Sequence, residues 1–238
     1  MGKLIEQIAK DKGHSVVTID PTSQNATYKE INEESVKDAD VVIDFTSPDT
    51  LMDNVKKITA LKKNLLVGTT GWYENIDEVK SIVESSGVGF LYATNFSVGM
   101  NIFLRIVEQA SKLVNNIDEY DPFGYELHHN QKADSPSGTA KSVAEAMLNN
   151  IERKTELNYD RVNRKIEPSE LHYGSIRAGS IPGTHVAAFD SEADTIELKH
   201  TARNRNGFAL GAVIAAQWLN GKKGFFEMKD FMDEFFSK

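Results

Sequence analysis

One short segment carries side chains whose types and spacing could do acid–base chemistry. In residues 126–140, ELHHNQKADSPSGTA, His128 is followed after four residues by Lys132 and then by the start of a helix. Histidine titrates near neutrality, and a lysine beside an anion site can help to give a proton to a substrate that has received a hydride. Each residue alone is more often structural, as a strand-end histidine or a solvated lysine. Together they predict a catalytic site for an anionic substrate.

The helix that follows is a candidate anion site. Apolar residues recur at helical spacing over residues 137–151, and either Asp134 or Ser135 could cap this helix with Pro136 in its first turn. Gly138 lets a ligand approach the backbone, and the free N–H groups of a first turn attract carboxylate or phosphate. The plainer alternative is a capped helix start that binds nothing.

A second cationic group lies in residues 200–205, HTARNR, at the end of a predicted strand. An arginine here could form a forked pair with a carboxylate, although a solvated strand end would have the same composition. His128, His129 and His200 could also be considered as metal ligands. We expect no metal, because the close ligand spacing of common metal sites is missing.

The elements that must position these groups alternate between strand and helix in the N-terminal part. Short apolar strands are predicted at residues 14–20, 40–45, 64–68 and 88–92. Helices are predicted at residues 3–12, closed by Gly13, at the segment that Ser47 caps and Pro48 opens, and at residues 74–86. Nearly continuous apolar strands followed by helices indicate a parallel sheet covered on both faces.

The pattern changes after residue 98. Helices are predicted at residues 101–115 and 137–151, a strand ends near residue 129, and alternating strands occupy residues 174–201 after a polar stretch. Helices return at residues 207–219 and 225–236. The fold class is therefore α/β, with a Rossmann-like parallel sheet domain and an inserted α+β domain that has an antiparallel or mixed sheet.

Loops that follow parallel strands are the expected place for a dinucleotide. Three such loops carry small or hydroxyl residues: one contains Phe45 and Thr46, one contains Gly68, Thr69 and Thr70, and one contains Ala93, Thr94, Asn95 and Phe96. Asp20 ends a predicted strand where a carboxylate could accept hydrogen bonds from the adenosine ribose, which favours NAD unless Lys29 compensates a 2′-phosphate. These loops could equally be plain turns, and Asp20 could simply form a turn before Pro21.

Composition excludes several classes of protein. The 238 residues carry a net charge of −8, which argues against non-specific nucleic-acid binding and requires that an anionic substrate meet a local cluster of cations. No apolar run approaches the roughly 20 residues that span a bilayer. The chain has no cysteine, and its first residues lack the apolar core of a signal peptide, so we expect a cytoplasmic protein.

Residues 126–140 closely resemble the signature of the 4-hydroxy-tetrahydrodipicolinate reductase family, also called dihydrodipicolinate reductase. Further segments resemble the family in the same order: VIDFTSP (42–48), GTTG (68–71), ATNFSVGM (93–100), SIRAGSIPGTH (175–185) and HTARNRNGFALG (200–211). The resemblance covers most of the chain.

The resemblance implies an enzyme that uses NADH or NADPH to reduce a cyclic hydroxy-imine dicarboxylate, with loss of water, to tetrahydrodipicolinate on the route to diaminopimelate and lysine. It implies a dinucleotide-binding domain at residues 1–97 and 206–238, and a substrate-binding and oligomerisation domain at residues 98–205. Members are commonly homotetramers.

Residue roles also follow from the resemblance. His128 matches the family's proton donor and acceptor, and Lys132 matches its proton-donating partner. The remaining matches are to substrate-contacting positions (His129, Gly138, Thr139 and Arg205) and to cofactor-contacting positions (Gly68, Thr69, Thr70 and the 93–96 loop).

One departure concerns the start of the chain. The family begins with a strand and a glycine-rich turn that ends in Met-Gly, whereas this sequence opens at Met1-Gly2 and lacks the glycine-rich fingerprint. We expect the first sheet strand to be absent, Gly2 to be what remains of the phosphate-binding turn, and cofactor binding to be weak, as in a sequence that starts at an internal Met. Two alternatives follow: a related NAD(P)-dependent amino-acid dehydrogenase, and a non-catalytic dinucleotide- or metabolite-binding protein.

Overall fold

A computed structural model describes residues 1–237 of the chain. The helices are α1 (Gly2–Asp11), α2 (Glu33–Val36), α3 (Pro48–Ala60), α4 (Ile76–Ser86), α5 (Val98–Val114), α6 (Gly138–Leu148), α7 (Asn206–Leu219) and α8 (Met228–Phe236). The strands are β1 (Val41–Asp44), β2 (Asn64–Val67), β3 (Gly89–Tyr92), β4 (Asp121–His128), β5 (Glu156–Asn158), β6 (Glu170–Arg177), β7 (Thr184–Asp190), β8 (Thr195–Thr201) and β9 (Gly224–Glu227). None of these helices combines the length and apolar character needed to cross a membrane.

The chain divides into two units, and the first comprises Met1–Val98 together with residues 205–237. Its four strands form a wholly parallel sheet in the order β1-β2-β3-β9. Leu66 and Leu91 pack with α1, α7 and α8 on one face, while Leu65 and Phe90 pack with α3 and α4 on the other. This alternation confirms the predicted Rossmann-like sheet covered on both faces.

Two predictions for the first unit were wrong. Residues 14–20 form no strand, and only a bridge joins Ile19 to Tyr28, because no strand of the described chain lies beside the segment to complete its backbone hydrogen bonds. The single helix predicted at residues 225–236 is instead β9 followed by α8. Phe225 stacks on Phe90 and Phe226 packs on the opposite face, which is the two-residue period of a strand.

The helix ends follow the sequence closely. Gly13, at φ 85°, closes α1 as predicted, because glycine adopts this left-handed conformation without steric cost. Ser47 is the N-cap residue of α3 and Pro48 opens the helix, also as predicted. The Ser47 hydroxyl does not cap a backbone N–H, however, and lies 3.2 Å from the Thr50 hydroxyl.

The second unit comprises Gly99–Asn204. Its sheet has the order β5-β6-β4-β7-β8, with β6 parallel to β5 and β4, and β7 antiparallel to β4 and β8. This confirms the predicted mixed sheet, although β5 lies in a stretch for which no strand was predicted. Apolar residues of α5 and α6 cover one face of the sheet, with Tyr173 and Phe189 at the centre of the core. The predicted domain boundaries differ by one residue at each of the two points where the chain passes from one unit to the other. The roles predicted for the domains stay predictions.

Candidate active site

The second unit buries a row of polar side chains across its sheet. Strand β4 buries every second residue, so Glu126 and His128 both point inward where apolar residues are usual. In the strand register, Glu126 lies opposite Ser175 on β6 and His185 on β7, and His185 lies opposite His200 on β8. Because residues in register on neighbouring strands share a face, these groups can interact.

Glu126 is the centre of this row and is fully buried. Its Oε1 accepts hydrogen bonds from Ser137 N–H (2.9 Å), the Ser175 hydroxyl (2.9 Å) and Arg177 Nη2 (2.8 Å), and its Oε2 accepts one from the Ser137 hydroxyl. Burial acts to raise the pKa of Glu126, but the hydrogen bonds from Ser137, Arg177 and Ser175 outweigh it and lower the pKa to about 2. The side chain is therefore an ionised acceptor near neutral pH.

His128 lies against this carboxylate. Its Nδ1 is 3.0 Å from Glu126 Oε2, although without the alignment of a regular hydrogen bond. Burial lowers the pKa of His128, the charge of Glu126 opposes that shift, and the charges of Lys132 and Arg177 add to it. On its other side the ring meets His185 edge-on, with ring centroids 5.2 Å apart. A histidine that is neutral near pH 7 and poised beside a carboxylate is suited to moving a proton.

The loop after β4 is tied to the same centre. Lys132 Nζ lies 2.7 Å from Asp134 Oδ1, and Arg177 Nη2 donates to the Asp134 carbonyl at 2.6 Å. The Lys132 side chain is 24% exposed, so a small anion can reach it. The structure thus brings Lys132 and His128 into one neighbourhood, where the charge of Lys132 helps to lower the pKa of His128.

Helix α6 begins at this centre, but its cap differs from the prediction. The N-cap residue is Ser137, whose hydroxyl accepts from Ala140 N–H at 3.1 Å, rather than Asp134 or Ser135. Pro136 consequently precedes the cap and does not lie in the first turn. The reason is Glu126, which binds both the N–H and the hydroxyl of Ser137 and so fixes where the helix starts.

The other predicted substrate residues are placed as follows. Gly138 and Thr139 form the first turn of α6, and outside the chain neighbours and the helix's own backbone no atom of residues 1–237 lies within 4 Å of a Cβ built at Gly138. His129 is half-buried directly after β4. Arg205 belongs to the first unit, where it is the exposed N-cap residue of α7.

Three side chains of types that bind metals lie close together, but they are not the three histidines that were considered from the sequence. Ligand atoms of Glu126, His128 and His185 lie within 4.8 Å of one another, whereas His129 and His200 are outside this group. A guanidinium cation, that of Arg177, already pairs with the Glu126 carboxylate at 2.8 Å. A second cation would face repulsion there, so we assign no metal.

Two of the three predicted cofactor loops line an open cavity of about 230 Å³ at the carboxyl edge of the parallel sheet of the first unit. Its lining comprises Met1, Phe45, Thr46, Pro48, Gly68, Thr69 and Thr70. Buried Asp44 organises the lining, since its Oδ1 accepts from Thr46 N–H (3.0 Å), the Thr46 hydroxyl (2.8 Å) and the Thr69 hydroxyl (2.9 Å). A recess with backbone, hydroxyl and aromatic surface at this edge, beside the start of a helix, offers groups of the kind that contact part of a bound dinucleotide.

Gly68 allows the Phe45 ring to pack directly against the backbone at the edge of this cavity. A Cβ at this position would lie 2.2 Å from two atoms of the Phe45 ring. Glycine is therefore required for the ring to rest against the backbone at the edge of the cavity.

The remaining predicted cofactor residues do not line this cavity. In the 93–96 loop Ala93 and Phe96 are buried in the core, Asn95 accepts from Ser97 N–H at 2.8 Å, and Thr94 is exposed. Gly2 is the first residue of α1.

Asp20 forms the local turn that was considered as the alternative to ribose binding, and its contact with a ribose stays a prediction. Its Oδ1 accepts from Thr22 N–H, the Thr22 hydroxyl and Ser23 N–H at 2.8–2.9 Å, which is the geometry of a turn-forming aspartate. The hydrogen bonds from Ser23 and Thr22 lower the pKa of Asp20.

Sequence reasoning missed Glu126, Arg177 and His185 as members of the site, and Asp44 in the first unit. The available signal was the two-residue period of the strands. It places Glu126 and His128 on the inward face of β4, and charged residues at inward positions are unusual unless they are paired or functional.

Comparison with known proteins gives a consistent result. Residues 1–96 match the family model described as dihydrodipicolinate reductase, N-terminus, and residues 99–232 match that for the C-terminus. A 4-hydroxy-tetrahydrodipicolinate reductase of Christiangramia forsetii is 35% identical over 237 residues, which are 99% of this chain and 95% of the relative. One from Neisseria meningitidis serogroup B is 35% identical over 196 residues, 81% of this chain and 72% of the relative.

Solved structures show the same fold. A dipicolinate-bound dihydrodipicolinate reductase from Paenisporosarcina sp. TG-14 superposes with a TM-score of 0.74 at 18% identity, covering 96% of this chain and 94% of the other. An amine dehydrogenase from Mycobacterium smegmatis gives a TM-score of 0.59 at 10% identity, covering 94% and 90%.

Proposed function

The chain belongs to the dihydrodipicolinate reductase family, and we propose that His128 and Lys132 supply the proton in its reaction while the start of α6 holds a substrate carboxylate. The protein is an NAD(P)H-dependent oxidoreductase that reduces 4-hydroxy-tetrahydrodipicolinate in the diaminopimelate and lysine pathway. This membership favours the reductase over an amino-acid dehydrogenase or a non-catalytic binding protein. Its substrate is a small dicarboxylate.

One observation carries the proposed residue roles. The buried Glu126 carboxylate lies 3.0 Å from His128 Nδ1 and accepts the Ser137 N–H at the start of α6. One side chain thus joins the proton donor to the helix that would hold the anion. Lys132 is paired with exposed Asp134 and can exchange that partner for a substrate carboxylate.

The residues divide the work as follows. NAD(P)H, when bound, supplies the hydride. His128, once its imidazole has taken up a proton, gives that proton to the substrate and returns to its neutral form. The charge of Lys132 offsets part of the charge of the dicarboxylate and supports that transfer. The N–H groups of Gly138 and Thr139 point from the helix start, where the helix dipole favours negative charge, and His129 and Arg205 are further proposed substrate contacts.

The first unit is proposed to bind the cofactor. The recess beside Phe45, Thr46 and Gly68 would receive the dinucleotide at the carboxyl edge of its sheet. Asp20, whose Oδ1 also forms the turn with Thr22 and Ser23, would favour NADH, since its carboxylate repels a 2′-phosphate. The 93–96 loop and Gly2 are further proposed contacts. We also propose that the second unit assembles the chain into a homotetramer in the cytoplasm, which light scattering coupled to size-exclusion chromatography would test.

Turnover of freshly generated substrate tests the assignment of Lys132. We compare Lys132→Met with Lys141→Met, which removes an exposed lysine of the same unit from α6. Lys132→Met should lower kcat/KM by on the order of 10²-fold through the loss of a charge-assisted contact and proton support. Lys141→Met should behave as wild type. Equal kcat/KM in the two variants would contradict the assignment.

A further inference from the structure

We infer that Glu126 is a positioning residue, which holds a proton on Nδ1 of His128 and so makes Nε2 the nitrogen that exchanges a proton with the substrate. The inference rests on the proposed function for the role of His128. It adds a residue and a defined tautomer to that role.

The hydrogen bonds of Glu126 determine which nitrogen of His128 carries hydrogen. Its two oxygens accept from Ser137, Ser175 and Arg177, so every described group around the carboxylate is a donor. An ionised carboxylate can only accept. The Nδ1 atom at 3.0 Å is favourable when it bears hydrogen and repulsive when it presents a lone pair. In a neutral imidazole the proton therefore belongs on Nδ1 and the lone pair on Nε2.

The orientation of the carboxylate is set from the neighbouring strand. Arg177 Nη2 holds Oε1 at 2.8 Å and the Asp134 carbonyl at 2.6 Å, which leaves Oε2 on the side of His128. Arg177 thus fixes both the carboxylate and the loop that carries Lys132. Such an outer partner is what sets the tautomer and ring orientation of a working histidine.

The groups that face His128 come from four directions. Glu126 lies on β4, Arg177 on β6 and His185 on β7, and Lys132 and Asp134 lie on the loop. Burial lowers the pKa of His185 to about 4, so near neutral pH it is an uncharged neighbour. Glu126 is accordingly the closest negative charge, the one that supports protonation of His128.

The chain also reserves space beside Nε2. A Cβ at Gly183, where φ is +148°, would lie 3.0 Å from His128 Nε2. A side chain there would crowd the nitrogen that the inference assigns to proton exchange. Glycine keeps that side of the ring clear.

The test reads the tautomer in the free protein by long-range ¹H–¹⁵N NMR of the His128 ring. Wild type should show the Nδ1–H form. In Glu126→Gln the amide oxygen must accept from Arg177, so the amide N–H₂ faces Nδ1 and His128 should change to the Nε2–H form. Glu170→Gln is the matched control, because Glu170 is another arginine-paired carboxylate of the same sheet, held by Arg164 at 2.6–2.8 Å. It should keep the wild-type tautomer.

Kinetics give a second readout that a merely structural role would not move. Loss of the Glu126 charge lowers the pKa of His128, so the fall of kcat/KM with rising pH should begin at lower pH in Glu126→Gln. We expect kcat to fall by on the order of 10²-fold or more, with Glu126→Asp restoring part of it.

A wild-type ring protonated on Nε2 overturns the inference, and this holds even if Glu126→Gln fails to fold. An unchanged tautomer in a folded Glu126→Gln also overturns it. Normal turnover in Lys132→Met would instead contradict the role proposed for Lys132 and leave the tautomer result standing.

Discussion

Acid should destabilise this protein through His185, and the size of the effect can be worked from the structure. Burial lowers the pKa of His185 from 6.5 to about 4. As the pH falls below 6.5 the unfolded chain takes up a proton at this residue, while the folded chain does so only near pH 4. The free energy of unfolding should therefore fall across that window. The two pKa values differ by about 2.5, which at ~1.4 kcal/mol per pKa unit corresponds to ~3.5 kcal/mol in full and to ~3 kcal/mol by pH 4.

The assay is urea unfolding at several pH values between 7.5 and 4, comparing wild type with His185→Leu. Burial lowers the pKa of His128 and His200 as well, and both remain in the variant, so the difference between the two curves isolates His185. His172→Leu, which removes a half-buried histidine from β6 of the same sheet, is the control. Between pH 7.5 and pH 4, the free energy of unfolding of His185→Leu should fall by ~3 kcal/mol less than that of wild type. Parallel curves for these two proteins would refute the reasoning.

Three glycine substitutions give further predictions. Gly211→Ala should lower the free energy of unfolding by ~3 kcal/mol or more in urea unfolding, because its Cβ would lie 1.7 Å from the Phe96 carbonyl oxygen, and an unchanged midpoint would contradict this. Gly68→Ala must displace the Phe45 ring from the cavity and should weaken NADH binding about tenfold in a fluorescence titration, a cost of ~1.4 kcal/mol, whereas unchanged affinity would argue against a cofactor site there. Gly138→Ala should keep or raise stability by up to ~1 kcal/mol, because outside its chain neighbours and the backbone of its own helix nothing described lies within 4 Å of the new Cβ. The added methyl group would stand where a ligand approaches the backbone, so the KM for freshly generated substrate should rise, and an unchanged KM would remove α6 from the substrate site.

The parallel sheet could be predicted because apolar runs such as residues 64–68 stand between clear helix signals, and burial on both faces demands such runs. Residues 14–20 have the same local composition but form no strand, since a strand also requires a neighbour, which local sequence does not supply. The helix predicted at residues 225–236 was wrong for a different reason. Phe225 and Phe226 fit a helical period as well as a strand period, and pairing with β3 decided between them.

Only the part of the site that lies within one continuous segment of the chain could be predicted from the sequence. His128, Lys132 and the helix start lie within one segment, so their spacing alone predicted a common site. Arg177 and His185 reach that site through the register of β6 and β7 against β4, which is a tertiary property. A tertiary contact also explains why Ser137 caps α6 instead of a residue predicted from the sequence. The carboxylate of Glu126, on β4, binds Ser137 and fixes where the helix starts.

His128, held by Glu126, is the proposed proton donor, and removing its imidazole is the direct test of that role. Turnover of freshly generated substrate is measured for His128→Gln, together with the NADH affinity of the same preparation. We predict that turnover slows by on the order of 10²- to 10⁴-fold, as expected for loss of a general acid, with the NADH affinity within about threefold of wild type. Turnover within a few-fold of wild type in a folded variant would contradict the role assigned to His128.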